Sequence, residues 1–106
     1  MSDPLVALQN LEELYRRGFR DPVTDAALLK VASSQAARDE LVLHDLERDL
    51  HELEQQHGMS SDEFARRWQA GQLPDTADLM DWNALCRMAS QIRARLELLR
   101  SGLQSL

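Results

Sequence analysis

Between Pro22 and Gly58 the chain contains neither glycine nor proline. Nothing there stops a helix, so the stretch permits one helix of about 35 residues, roughly 50 Å long at 1.5 Å per residue. Its second half carries a strict heptad, Leu43, Leu46, Leu50 and Leu53, with His57 next in phase. A leucine seam of that length has to be covered by another helix. Tracing the register backward gives Asp39, Ala36, Ala32 and Leu29, so the seam narrows toward its start and a carboxylate interrupts it. Ser33-Ser34 is where a bend or break is expected.

The covering helix is found near the other end of the chain. Trp82, Leu85, Ala89, Ile92, Leu96, Leu99, Leu103 and Leu106 form a second heptad. Glu40, Glu47, Asp49 and Glu54 flank the first seam, whereas Arg93, Arg95 and Arg100 flank the second. Opposite flanks favour pairing the two helices with each other, and like flanks disfavour self-pairing of either. The expected product is an antiparallel hairpin with His57 near Trp82 and Leu43 near Leu96.

The segment between the seams is dense in local signals. Ser60 with Glu63 has capping-box spacing, and Met59 with Phe64 has the spacing of a hydrophobic staple. A short helix over 61–70 follows, closed by Gly71. Leu73-Pro74-Asp75 then leads into the last helix, with Asp75 as cap and Asp78 in the first turn, facing the positive end of the helix. At the N-terminus Asp3-Pro4 and Asp21-Pro22 are two further helix starts. The first predicts a helix over 4–17, ended by Gly18 and anchored at its turn by Phe19. Its stripe of Leu5, Leu8, Leu11, Leu14 and Tyr15 must lie on something to be stable. The fold class is therefore all-α, one domain over 1–106 with helices at about 4–17, 22–57, 61–70 and 76–101.

Aromatic residues are only 5% of the chain, in keeping with a helical bundle. Eighteen acidic against twelve basic residues leave a net charge of -6, which opposes the counterion release that drives nonspecific nucleic-acid binding. Arg16, Arg17 and Arg20, and Arg66 with Arg67, are the basic groupings that speak for DNA, but Arg16 and Arg17 also complement a helix C-terminus and Arg66 and Arg67 are only two charges. No apolar run approaches the roughly 20 residues that span a bilayer, and the N-terminus lacks a secretory pattern, so a soluble cytoplasmic protein is expected. A single cysteine, Cys86, excludes an intrachain disulfide and a Cys-rich zinc framework.

No reaction centre emerges from the remaining residues. His44 and His51 lie roughly 10 Å apart along one helix, too far to share a metal ion. His57 fits a helix-terminal cation or a packed core histidine, and Cys86 a buried structural thiol with no base placed to activate it. Asp75, Asp78 and Asp81 recur every three residues beside Trp82 but lack the carbonyls and glutamate of a calcium loop. They fit helix capping or, alternatively, an acidic and aromatic patch that meets a basic partner. Without a phosphate loop or activated nucleophile, a non-enzyme with no cofactor and no metal is expected.

The stretch from His57 to Asp75, with Gly58-Met59-Ser60-Ser61 and Phe64 followed by Gly71-Gln72-Leu73-Pro74-Asp75, then Asp78 and Trp82, resembles a motif of small helical prokaryotic proteins. Many of these look like the antitoxin halves of toxin–antitoxin pairs. The resemblance is close over 57–82 and loose over 20–100. The chain departs from that pattern at His57, where an aromatic residue commonly precedes the glycine, and at Pro74, where a glycine is usual. What the resemblance implies is a non-enzymatic protein that binds and blocks a cognate toxin. In such a module the expected anchors are Phe64, Trp68 and Trp82, some of which must also build the core, and the expected charge partners are Asp75, Asp78 and Asp81. Two rivals stand beside it. One is a self-associating adaptor that dimerises through Val42 and Leu98; the other is a DNA-binding regulator that uses the arginine groups.

Overall fold

Helix α1 (Pro4–Arg16) starts where Asp3 accepts a 3.0 Å hydrogen bond from the Leu5 amide. It ends at Gly18, whose φ of +98° lets the amides of Gly18 and Phe19 turn back onto the carbonyls of Tyr15 and Leu14. Helix α2 (Pro22–His57) starts where the Asp21 carboxylate accepts from both the amide (3.0 Å) and the hydroxyl (2.7 Å) of Thr24. Those two hydrogen bonds hold the Asp21 carboxyl below the usual range, hydroxyl first. Helices α3 (Ser61–Gln69) and α4 (Ala77–Gln104) complete the chain, and no strand occurs among the described residues. The computed structural model describes residues 1–104, so Leu106, the last expected member of the second heptad, lies outside them. Helix α2 runs through Ser33-Ser34 without interruption, so the break expected there is absent. Neither serine removes a backbone donor, and the i to i−4 ladder continues past them.

The chain divides into two compact units, Met1–Val31 and Ala32–Leu106. The first unit has no buried residue. Its internal order comes from the corner between α1 and α2, where the Tyr15 hydroxyl donates to Asp25, Phe19 meets Tyr15 edge-on at 5.7 Å, and Arg20 lies 5.0 Å over the Tyr15 ring.

The second unit holds the core. Ala36, Leu46 and Leu50 of α2, Phe64 of α3, and Trp82, Ala89, Ile92 and Leu96 of α4 are buried in one cluster. Leu43 and Leu53 from the first heptad, and Leu85 and Leu99 from the second, are half-buried against it. Glu40 pairs with Arg100, Glu47 lies 3.4 Å from Arg93, and His57 stacks on Trp82. Positions rise along α2 as they fall along α4, so the helices are antiparallel in the register that their charged flanks favour.

Asp39 is the interruption in the seam, and the fold deals with it directly. It is 2% exposed and receives two hydrogen bonds from the Arg95 guanidinium, at 2.6 and 2.7 Å, and one from Gln35 at 2.9 Å. Arg95 beside it, opposed by burial and helped by Gln35, holds the Asp39 carboxyl below the usual range. A bidentate arginine is the arrangement that makes a buried carboxylate tolerable.

Candidate functional site

Where α2 hands over to α3 and α4, the aromatic residues gather. Trp82 stacks on Phe64 with ring centres 4.0 Å apart and planes 6° off parallel, and on His57 at 5.1 Å and 25°. Trp68 continues the series against Phe64 at 5.8 Å. The Trp82 indole N–H donates to the Ser61 hydroxyl at 3.1 Å, which satisfies the one polar atom of that side chain. Phe64 and Trp82 are both 0% exposed. They are therefore core residues rather than partner anchors, because every face of both rings is already used. Of the three expected aromatic anchors only Trp68, half-buried, retains surface.

The start of α3 is fixed from two sides. The Ser60 hydroxyl accepts from the Glu63 amide at 3.1 Å. The Glu63 carboxylate is engaged by Arg66 and, at 2.9 Å, by Arg67, which holds its carboxyl below the usual range, Arg66 first. Glu54, at the end of α2, accepts from the Ser61 amide at 2.7 Å and so caps α3 from the neighbouring helix. No local pattern announces that contact, since the two residues meet only once the chain has turned at Gly58, φ +63°. Gly71 then closes α3, with the amides of Gly71 and Gln72 turned onto the carbonyls of Trp68 and Arg67.

Helix α4 is capped by Thr76, whose hydroxyl accepts from the Leu79 amide at 3.3 Å, and not by Asp75. Asp75 stands one residue outside the cap and is free to face solvent. Asp78 occupies the first turn, as expected, and Asp81 follows on the next. All three carboxylates are exposed, and none belongs to an ion pair among the described residues. Glu12, Glu13, Glu40, Glu47 and Glu63, by contrast, each carry an arginine. The tip therefore presents negative charge that the protein itself does not neutralise.

On one side of the hairpin a groove of about 800 Å³ is lined by Leu50, Glu54, Ser61, Asp62, Cys86 and Arg93, among others. Burial pushes the Cys86 thiol up, against a smaller opposite pull from the Ser61 hydroxyl. Such a thiol stays protonated at neutral pH and is a poor nucleophile. No group of three or more His, Cys, Asp or Glu side chains among the described residues could hold a metal ion, and His44 and His51 remain exposed on α2. Among the described residues, no helix is long and apolar enough to cross a membrane.

No protein-family model, curated protein or solved structure matches the chain. The site has to be judged on its own geometry. That geometry offers an acidic, unpaired tip on a stiff aromatic corner, with Trp68 at its half-buried edge.

Proposed function

We propose that the protein is a non-enzymatic binding module, the antitoxin of a toxin–antitoxin pair, which neutralises a basic toxin by direct contact. The observation that carries this reading is the set of exposed, unpaired carboxylates Asp75, Asp78 and Asp81 at the start of α4, next to the aromatic stack. Charge left uncompensated within a chain is available to steer a partner of opposite sign, and a rigid base limits the ordering cost of docking. The motif over 57–82 supports the same reading from the sequence side. In this mechanism Phe64 and Trp82 hold the tip in shape, while Trp68 and the three aspartates meet the toxin. A cytoplasmic location belongs to the proposal as well.

Affinity purification of the tagged chain from its native host, followed by intact-mass analysis of whatever copurifies in fixed ratio, tests the reading. The expected outcome is a small basic protein that halts growth when expressed alone and is silenced by this chain. With that partner in hand, replacing Asp75, Asp78 and Asp81 together by Asn should slow association and weaken its salt dependence. Unchanged kinetics would remove the acidic tip from the mechanism.

A further inference from the structure

The two sides of the seam between α2 and α4 are unlike. On one side Glu40 and Glu47 of α2 pair with Arg100 and Arg93 of α4, and Ser61, Asp62 and Ala65 of α3 share a groove there with Glu47, Cys86 and Arg93. On the other side the heptads set Val42, Asp49 and Gln56 of α2 beside Arg95, Met88 and Asp81 of α4, in the alignment that the pair of Arg95 with Asp39 also requires. There Val42 is 46% and Met88 47% exposed, and the seam leucines Leu53 and Leu85 on that side are only half-buried. Two long helices with apolar residues left open along one side present a furrow into which the ridge of a third helix packs.

Charge decides what kind of occupant fits, because the rim of this furrow is acidic. Asp45, Asp49 and Glu52 border it on α2 and Asp81 borders it on α4. The cation set among them is Arg48, 3.5 Å from Asp45 and 3.9 Å from Asp49, while Arg95 at the far end is engaged by Asp39. Glu52 and Asp81 are exposed and belong to no ion pair among the described residues. A rim of this sign repels nucleic acid, an anionic lipid surface and the same face of a second copy, and it attracts a cationic occupant. An apolar line with such a margin is complementary to a helix that carries apolar residues at every third or fourth position and cations beside them.

We infer that this side of the hairpin docks a basic amphipathic helix of the protein partner, laid between α2 and α4 with its apolar residues on Leu53, Leu85 and Met88 and its cations on Glu52 and Asp81. The inference rests on the partner-binding reading of the tip and adds the element of the partner that is recognised; Asp81 belongs to both surfaces.

Calorimetric titration of the full-length chain with a synthetic helical peptide of about 18 residues, leucine at helical spacing and lysine elsewhere, tests the inference beside a matched peptide with glutamate in place of lysine. Met88→Lys and Ser90→Lys are the paired variants. Both positions are exposed and both changes add one positive charge, but Ser90 lies in the groove on the α3 side. Neither should unfold the hairpin, which urea unfolding followed by circular dichroism checks. At about 150 mM salt the lysine peptide should bind the wild-type chain at least about 100-fold more tightly than the glutamate peptide does. Met88→Lys should weaken the lysine peptide by about tenfold or more, Ser90→Lys by less than about threefold, and Glu52→Gln, which leaves the apolar line intact, by about threefold. Absence of binding, comparable binding of the glutamate peptide, or equal losses in the two lysine variants would overturn the inference. A toxin recovered by affinity purification that binds Met88→Lys as tightly as the wild-type chain would also overturn it while leaving the toxin reading intact; the expected peptide results with no toxin recovered would sustain the docking face and end the toxin reading.

Discussion

Replacing Trp82 by Ala is the most severe single test of the fold. The side chain is wholly buried, stacks on both Phe64 and His57, and donates to Ser61. Truncating a buried Trp to Ala costs about 3–5 kcal/mol through lost burial and the cavity left behind. The upper part of that range applies here, since each ring stack contributes about 0.5–1.5 kcal/mol beyond its area and the indole hydrogen bond a further 0.5–1.5 or so. A unit the size of Ala32–Leu106, at roughly 0.05–0.15 kcal/mol per residue, holds about 4–11 kcal/mol in all. Trp82→Ala should therefore remove between about a third and all of the stability of the hairpin. Urea unfolding at 25 °C followed by far-ultraviolet circular dichroism measures it, with Trp82→Phe as the milder comparison, expected to cost about 1–2 kcal/mol because it keeps a ring in the stack but loses the N–H donor. A loss below about 2 kcal/mol for Trp82→Ala would refute the reasoning, because it would place Trp82 outside the core.

Two further outcomes follow from the titrating groups. The Asp39 carboxyl is held below its ordinary range by Arg95, so its contribution is complete above that range and is lost as pH falls through it and below. The thermal midpoint of the wild-type chain should drop on acidification from about pH 5 to about pH 3, and Asp39→Asn should flatten part of that drop, Asp21 and Glu63 supplying the rest; an identical pH slope in the variant would exclude Asp39 as a contributor. Cys86, whose thiol burial pushes up, should react with iodoacetamide at neutral pH several-fold more slowly in the folded chain than in urea, and equal rates would mean that the groove does not shelter it.

Much of the fold is legible because its decisive signals are local or periodic. Asp3, Asp21 and Ser60 cap from within their own first turns, and Gly18 and Gly71 end helices through positive φ, so each boundary lies within a few residues of its sequence expectation. The pairing of α2 with α4 follows from the two heptads and their opposite flanks. Expectation and structure part where the deciding contact is tertiary. Asp75 and Thr76 are both competent caps by residue type, and the one that serves is Thr76, whose hydroxyl accepts from the Leu79 amide. Glu54 reads as a flanking charge on the seam, yet it also caps α3 once the turn at Gly58 brings it there. Trp82 opens the second heptad and Phe64 forms a staple with Met59, so both have core signals as well as the residue type of binding anchors, and their complete burial against each other decides for the core. The acidic positions of the tip were legible as residues, but their exposure and lack of ion pairs were not.

The carboxylate buried in the leucine seam has a consequence for how the two long helices find each other. Leucine heptads repeat, so an apolar seam by itself is nearly as content after slipping one heptad as in its native alignment. Asp39 removes that degeneracy. Sliding α4 by seven residues in either direction would set Asp39 against Met88 or Gly102 in place of Arg95, leaving a desolvated carboxylate facing a residue that carries no positive charge. The pair thus works as a key that only one alignment turns, and the tip with its aromatic stack is assembled only in that alignment.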